Sequence, residues 1–381
     1  MYMRACLLIT CLLLSIGCRK TSAPQPATTT PTAQASPATL LDHSQGGATP
    51  TAQTKHFKGS IGSSLDLQMK LVRTGDQLAG SYFYQKIGTR IDLRGNVDKD
   101  GNLTLEEFDK SGKQTGLFKG LWSVDPGDGL ARLAGNWSKP PSDKKTAFSV
   151  HEEPIAFTGE VDLVSKQIKE SNKKLMYEID ARYPQLTGGT NSNFEKFNQV
   201  VRGSVTKKVA EFKKEMAPED GEESRPEGSM GSDLNVSYEV ALAQDDLISV
   251  EFSVGSYYQG AAHPNTFTEA VNYDLKNGKQ LKLAELFKPG AKYLPAIANY
   301  CIADLKKQAK DKGLLDEEIQ NGAAPNAKNY QSWTITRKGL GINFDAYQVG
   351  PYAAGPQFVL VPYSALKDVI NPEGPVGQFA K

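Results

Sequence analysis

Two segments rich in tyrosine, glycine and proline hold the residues best suited to molecular recognition. They run from Tyr257 to Asn265 and from Tyr347 to Gly355. A tyrosine ring offers a rigid, amphipathic contact surface at low entropic cost, and glycine and proline fix the shape of a loop, so such loops can bind a protein surface or a sugar face. The alternative is that hydrogen bonds from the same residues to neighbouring backbone merely hold the loops in place. The candidate binding residues are Tyr257, Tyr258, His263, Pro264, Asn265, Tyr347 and Tyr352.

Patterns typical of catalytic centres are missing from the sequence. It contains no Gly-x-Ser-x-Gly nucleophile elbow, no phosphate-binding glycine-rich loop and no His-Glu-x-x-His zinc motif. The acid pairs Asp245-Asp246 and Glu317-Glu318 could suggest glycosidase chemistry. Adjacent residues on a strand or turn point apart, however, so solvated charge is the better interpretation. We therefore assign no catalytic residue and expect no enzymatic activity.

Metal and cofactor sites are not expected either. The chain has four histidines, and two of them, His43 and His56, lie in or beside a low-complexity segment. The stretch from Asp98 to Thr104 resembles a calcium loop, but Leu103 stands where the sharp turn needs glycine and Asp109 replaces the bidentate glutamate. We predict a hairpin turn there instead. The formal net charge of +1 gives no general attraction to nucleic acid.

Cys18 is the residue with the clearest predicted chemistry. Arg4 precedes the apolar run from Ala5 to Leu14, which is too short to span a bilayer but suits a signal peptide. The run ends in Leu-Ser-Ile-Gly-Cys, which resembles a bacterial lipobox, with Gly17 as the small residue before an acylated thiol. Residues 1–18 are therefore predicted to be a lipoprotein signal with lipidated Cys18, anchoring an extracytoplasmic protein to the cell membrane or outer membrane. An ordinary signal peptide or an uncleaved anchor is the alternative, and either still exports the chain.

The remaining thiol has a structural interpretation. Cys6 and Cys11 leave with the signal and Cys18 carries the lipid, so Cys301 is alone in the mature chain and cannot form an intramolecular disulfide. It falls in an apolar pattern of helical spacing that runs from Leu294 to Leu305. We expect Cys301 to be a small buried hydrophobe.

Behind the signal of residues 1–18, the chain divides into four further predicted parts. Residues 19–55, rich in Thr, Pro, Ala, Gln and Ser, cannot bury enough apolar surface to fold and form a disordered tether. Residues 56–152 contain short alternating runs about ten residues apart, which predicts an antiparallel β-meander or small barrel of seven or eight strands. Residues 160–372 form an α+β domain, and residues 373–381 are a C-terminal tail.

The α+β domain is predicted to be an antiparallel sheet covered on one face by two long helices. The first helix follows from phenylalanines and valines repeating every three or four residues up to Met216, with Asn191 or Ser192 as its cap. The second helix covers roughly Lys292 to Lys310. Strands and helices that alternate irregularly, with hairpin turns such as Asn277-Gly278, indicate an α+β layer rather than a doubly wound sheet.

The stretch from about Tyr177 to Ile370 resembles a family of extracytoplasmic domains of unknown function. This domain ends RsiV, the membrane anti-sigma factor that acts as a lysozyme receptor, and precedes the catalytic domain of some peptidoglycan deacetylases. The order of several weak motifs makes the resemblance specific. Its carriers are Tyr177 to Pro184, Phe194 to Asn198, Tyr257 to Pro264, Asn272 to Asp274, Asn277 to Lys279, Leu283 to Phe287 and Phe344 to Gly355.

The resemblance implies a binding module of the cell envelope with a lysozyme-like protein or a glycan as partner. The sequence shows neither the sigma-binding segment nor a deacetylase domain, so we carry over neither activity. The leading hypothesis is a non-enzymatic, lipid-tethered binding protein. The alternatives are an envelope hydrolase acting on peptidoglycan and a structural spacer of the envelope.

Overall fold

The computed structural model describes residues 51–85, 89–127, 129–142, 144–217 and 231–381, without the side chains of residues 310 and 311. The predicted signal, Cys18 and almost all of the tether therefore lie outside the described residues. The part from residue 50 onward forms one compact unit. Within it, three separate hydrophobic clusters mark a barrel, a large sheet with one helix, and a small sheet with several helices.

The predicted meander closes into an eight-stranded antiparallel barrel. Each strand pairs with the next, and β1 also pairs with β8, so that the sheet has no free edge. This confirms the barrel form of the prediction. The strands are β1 (Gln53–Ile61), β2 (Leu65–Thr74), β3 (Gln77–Tyr84), β4 (Ile91–Val97), β5 (Asn102–Phe108), β6 (Gln114–Val124), β7 (Ala131–Ser138) and β8 (Lys145–Glu153).

The barrel interior is apolar except around one carboxylate. Glu107 is buried and accepts hydrogen bonds from Tyr82 Oη at 2.8 Å, Trp137 Nε1 at 3.0 Å and Thr115 Oγ1 at 2.7 Å. These donors replace the water that the carboxylate loses on burial. The space beside them is full, since a Cβ at Gly116 would lie 2.3 Å from Glu107 Oε2. We therefore interpret Glu107 as a structural residue.

The turn between β4 and β5 is the hairpin that the sequence predicts. Asp98 accepts hydrogen bonds from the backbone nitrogens of Asp100 and Asn102 at 2.9 and 2.8 Å, and Gly101 supplies the left-handed residue with φ of +84°. Hydrogen bonds from Asn102 lower the pKa of Asp98. The carboxylate is thus occupied by its own turn.

The rest of the chain forms the α+β region, with mostly antiparallel pairing. The seven-stranded sheet has the order β10-β11-β12-β13-β14-β15, and β9 adds to β12. Its strands are β9 (Ile155–Ala156), β10 (Val161–Asn172), β11 (Tyr177–Gly188), β12 (Ser232–Gln244), β13 (Leu247–Tyr257), β14 (Asn265–Asp274) and β15 (Lys279–Gln280). The other elements are α1 (Asn193–Glu215), α2 (Tyr293–Lys312), α3 (Asp316–Gly322), β16 (Trp333–Ile335), β17 (Gly339–Phe344), β18 (Gln357–Pro362) and α4 (Tyr363–Leu366).

The mixed fold class is confirmed, but the two long helices lie on different sheets. Helix α1 packs its phenylalanines and valines against β11 and its neighbours, while α2 packs on β18 of the sheet β16-β17-β18. The predicted arrangement, with both helices on one sheet face, was wrong in this detail. The physical reason is that the last three strands form a sheet of their own, which provides α2 with a separate apolar face. Cys301 of α2 is fully buried there, and burial raises its pKa to about 12, as expected for a packing residue.

Helix α1 is tied to the sheet by one buried amide. The Asn198 side chain accepts a hydrogen bond from Leu186 N at 2.8 Å and donates one to Leu186 O at 2.9 Å. It therefore completes the pairing of strand β11 where a neighbouring strand would otherwise do so. At the start of the helix, Ser192 occupies the cap position without a side-chain hydrogen bond, and Asn191 Oδ1 accepts a hydrogen bond from Asn193 N at 2.9 Å.

The barrel meets the seven-stranded sheet through polar contacts. Lys70 pairs with Asp162 at 3.0 Å and Arg182 with Asp66 at 3.0 Å. Lys58 donates to Tyr238 O at 2.8 Å and lies over the Tyr238 ring at 4.3 Å from its centroid. Polar contacts of this kind define the position of the barrel on the sheet more than they contribute free energy to folding. The barrel is thus held in a defined position on the sheet.

Glu153, the last residue of the barrel, is buried at this boundary. Burial raises the pKa of its carboxyl from 4.5 to about 7, although Lys58 and a hydrogen bond with Gln68 oppose the shift. Glu239 on β12 raises it further through charge repulsion. Glu153 lines two cavities at this boundary. The other titratable or charged side chains that line these cavities or act on this carboxyl are His56, Lys70, Arg90, Arg132, His151, Glu152, Asp162, Tyr238, Arg337 and Lys338.

We predict that Glu107→Ala destabilises the protein by about 3 kcal/mol, since it leaves buried donors without their acceptor. Urea denaturation followed by tryptophan fluorescence measures the change. The matched control is Glu106→Ala, whose side chain is exposed on the same strand; it should change stability by less than about 0.5 kcal/mol. Equal losses in the two variants would contradict the structural role of Glu107.

A pH dependence follows from the raised pKa of Glu153. The folded protein holds this proton more tightly than the unfolded chain, so the stabilisation is complete below the unfolded pKa of 4.5 and is lost as pH rises through 7. Glu153→Gln cannot titrate. Relative to this variant, the wild-type protein should lose about 3 kcal/mol between pH 4 and pH 8. A stability difference that stays constant over this range in urea titrations would show that Glu153 titrates normally.

Candidate recognition site

The two tyrosine-rich loops belong to different sheets. The first connects β13 to β14 of the seven-stranded sheet, and the second connects β17 to β18 of the three-stranded sheet. Asp345 joins them, because its Oδ1 accepts hydrogen bonds from Thr268 N at 2.9 Å and Thr268 Oγ1 at 2.8 Å. The loops therefore lie side by side although more than 80 residues separate them in sequence.

Three rings from the two loops form one aromatic cluster, which consists of His263, Tyr347 and Tyr352. The His263 ring stacks on Tyr352 with centroids 4.1 Å apart and planes 28° from parallel. Tyr347 lies 5.5 Å from Tyr352 and 6.5 Å from His263, centroid to centroid. Offset stacking of this kind is a favourable geometry for aromatic rings. The sequence predicted the loops as a pair, and the structure brings these three residues together.

Hydrogen bonds set the orientation of the rings. Tyr352 Oη donates to Pro264 O at 3.0 Å, and His263 Nδ1 lies 2.9 Å from the same carbonyl oxygen. Because a carbonyl can only accept, His263 carries its proton on Nδ1 when neutral, which leaves Nε2 as an acceptor. Tyr347 Oη lies 3.5 Å from that Nε2. The predicted backbone hydrogen bonds are thus present alongside an exposed ring surface.

Tyr347 is an exposed member of the cluster. Its fractional exposure is 66%, and its φ of +70° places it in the left-handed region, which is unusual for a residue with a large side chain. The next residue holds the loop in this shape, because Gln348 Nε2 donates to Gly322 O at 3.1 Å and Asn329 O at 3.0 Å. Strain kept in place by the surrounding structure is typical of functional positions.

The other candidate residues lie elsewhere or act indirectly. Tyr258 packs on Phe212 of helix α1 with centroids 5.5 Å apart, and burial together with Glu215 raises its pKa to about 12. Tyr257 ends strand β13, paired with Asp233. Pro264 contributes its carbonyl oxygen, and exposed Asn265 begins β14. The aromatic cluster thus contains three of the seven candidate residues, and a binding role for any of the seven stays a prediction.

The acid pairs do not come together with the cluster. Asp245 accepts from Thr158 N at 2.8 Å and Thr158 Oγ1 at 2.6 Å, at the hairpin between β12 and β13. Glu317 and Glu318 belong to α3. Within the ranges that the structure describes, no group of three or more His, Cys, Asp or Glu residues could hold a metal ion.

Sequence reasoning missed the residues that support the site. Asp345 and Gln348 lie in the connection between β17 and β18. They were not singled out as candidate site residues, because their partners Thr268, Gly322 and Asn329 come from distant parts of the chain. One signal was available. A carboxylate that directly follows a buried strand, as Asp345 follows Phe344, commonly organises the loop after it.

These features define a closed β-barrel followed by an α+β region that presents paired loops, and two family models match parts of the second region. Residues 284–364 match the family model described as a protein of unknown function, DUF3298, and residues 170–266 match the model described as deacetylase PdaC. The predicted resemblance to a domain of unknown function shared with peptidoglycan deacetylases is thereby confirmed. Both matches begin after the barrel.

Individual relatives cover parts of the chain. The peptidoglycan-N-acetylmuramic acid deacetylase PdaC of Bacillus subtilis is 28% identical over 46% of this chain and 37% of its own length. The immunogenic protein MPT64 of Mycobacterium tuberculosis is 30% identical over 29% of this chain and 47% of its own length. A crystal structure of a DUF3298-family protein from Bacteroides fragilis covers 58% of this chain and 98% of that protein, with 17% identity and a TM-score of 0.41. The chain thus spans less than half of either curated relative.

We predict that Asp345→Ala separates the two loops and lowers stability by about 2 kcal/mol, because both hydrogen bonds from Thr268 lose a charged acceptor. Asp345→Asn is the matched control, since its amide oxygen can still accept from Thr268. Urea denaturation measures stability, and hydrogen exchange of the β13–β14 loop measures its opening. The proposed link is refuted if the alanine and asparagine variants behave alike in both measurements.

Proposed function

We propose that this chain is an extracytoplasmic, lipid-anchored binding protein that recognises an envelope-associated protein, lysozyme-like in type, or a glycan, without catalysis. The observation that carries the proposal is the aromatic cluster, in which an exposed tyrosine is held in a strained backbone conformation by a fixed loop. A ring fixed in advance loses little conformational entropy on binding, so its contact area is used efficiently.

An envelope location is supported by sequence and by similarity. Cys18 in its lipobox-like context is the proposed lipid attachment site. The similarity to a deacetylase of peptidoglycan supports a place outside the cytoplasm for this part of the chain. None of the helices in the described ranges has the length and hydropathy that a bilayer-spanning segment requires.

The alternative of an envelope hydrolase has one specific observation in its favour. Glu153 and Glu239 line the same cavity, and the raised pKa of Glu153 is a property that general acids share. Release of reducing ends from purified peptidoglycan, with the wild-type protein and Glu153→Gln compared, tests this alternative. Turnover that the variant lacks would replace the binding proposal with a catalytic one.

We predict that the mature chain binds lysozyme or soluble peptidoglycan fragments in isothermal titration calorimetry, and that Tyr347→Ala weakens this binding at least tenfold. A central aromatic contact commonly contributes about 2 kcal/mol or more to binding, which is a change of this order. The control is Leu121→Ala, which removes a comparably exposed apolar side chain from the barrel.

The two ligands decide between a protein and a glycan partner. Binding of lysozyme alone supports the protein partner, and binding of the fragments alone supports the glycan. If neither ligand binds, or if both variants lose affinity equally, the aromatic cluster is not the recognition site.

A further inference from the structure

A cavity of about 640 Å³ opens where the barrel, the seven-stranded sheet and the three-stranded sheet meet, and we call it the cleft. Its walls come from β8 of the barrel, from the middle of β12, from the turn between β16 and β17, and from β18. Small-molecule sites usually have volumes of about 300 to 1,000 Å³ and often lie between domains. The three residues of the aromatic cluster do not line this cleft.

The cleft exists because β12 changes partners along its length. Strand β11 pairs with β12 as far as Val236, and β9 pairs with it again from Ala243. Residues 237–242 pair with neither strand on that edge, although Lys58 of the barrel occupies the Tyr238 carbonyl. The segment 239–241 lines the cleft at this unpaired part of the strand.

One buried and one exposed carboxyl group, Glu153 and Glu239, are among the residues that line the cleft. Glu153 is 5% exposed and Glu239 lies near enough to raise its pKa by charge repulsion. Lys58 lines the same wall. A buried carboxyl that holds its proton near neutral pH can both donate and accept, as recognition of hydroxyl and amide groups requires.

The cleft also has basic side chains and an exposed aromatic ring. Arg132, Arg337 and Lys338 line it together with Phe358, which is 49% exposed. Arg132 pairs with Asp125, and Lys338 donates to Gly127 O across the mouth. Arg337 is exposed and forms no ion pair with any residue that the structure describes. Its guanidinium is therefore available for a carboxylate, which it can bind through two parallel hydrogen bonds.

We propose that this cleft binds a saccharide that carries a carboxylate group. Arg337 binds the carboxylate, the exposed face of Phe358 packs on the apolar face of a sugar ring, and Glu153 with Glu239 bonds hydroxyl and amide groups. The combination of guanidinium, aromatic face and carboxyl groups matches an acidic amino sugar better than a phosphate, because a phosphate offers no apolar face to Phe358 and no hydroxyl or amide donor to the carboxyl oxygens.

The test is calorimetry on the full chain in detergent with two tetrasaccharides. One alternates N-acetylglucosamine with N-acetylmuramic acid, which carries a carboxylate, and the other is the neutral N-acetylglucosamine tetramer. We expect the acidic ligand to bind at least tenfold more tightly than the neutral one. Arg337→Gln should abolish this preference, whereas Phe358→Ala should weaken both ligands.

Two control variants test whether the preference for the acidic ligand arises in this cleft. Arg202→Gln removes an exposed arginine from α1 and should leave the preference intact. Leu121→Ala removes an exposed apolar side chain from the barrel, outside the cleft, and should also leave the preference intact. Equal affinity for the two ligands, or a preference that survives Arg337→Gln in a variant with unchanged thermal unfolding, overturns the proposal.

Discussion

The arrangement of the α+β region depends on one strand, β12, and on the way its backbone hydrogen bonds are shared. Its first edge is paired with β11, contacted by Lys58 of the barrel and paired again with β9, while its second edge is paired throughout with β13. Every buried backbone group needs a partner. Three elements share this edge, with β11 at one end, β9 at the other and Lys58 at the Tyr238 carbonyl between them.

A bulge in β12 explains why one strand serves two cores. The pairing with β13 shifts between Val240 and Leu242. One extra residue exchanges the faces to which successive side chains point. Val240 consequently belongs to the core under α1, whereas Leu242 belongs to the core that contains α2.

The sequence predicts the local elements well and their assembly less well. Helix α1, seven of the eight barrel strands (β2 to β8) and the Asp98 turn follow from spacing and turn residues within about ten positions, whereas β1 begins at Gln53, inside the segment predicted to be a tether. The bulge at Val240 and the division of the last three strands into a sheet of their own depend on pairings between residues far apart, which one sequence does not display. The same limit applies to the site. Tyrosine-rich composition identified the two loops. The structure is needed to show that Asp345 joins them and that Tyr258 packs against α1.

Glu153 shows why a structural contact and a binding cleft can share one residue. A buried carboxyl is costly unless it is paired, and an apolar residue of the same size would usually stabilise the boundary at least as well. Glu153 has Gln68 on one side and Lys58 near it, yet it also faces Glu239, which disfavours its charge. This arrangement is poorly explained by stability alone. It is explained if the carboxyl has a second task at the open middle of β12, where the barrel and the two sheets leave space for a ligand. A buried acid at this position lowers stability, but it provides a polar surface for a ligand, which a fully packed boundary would lack.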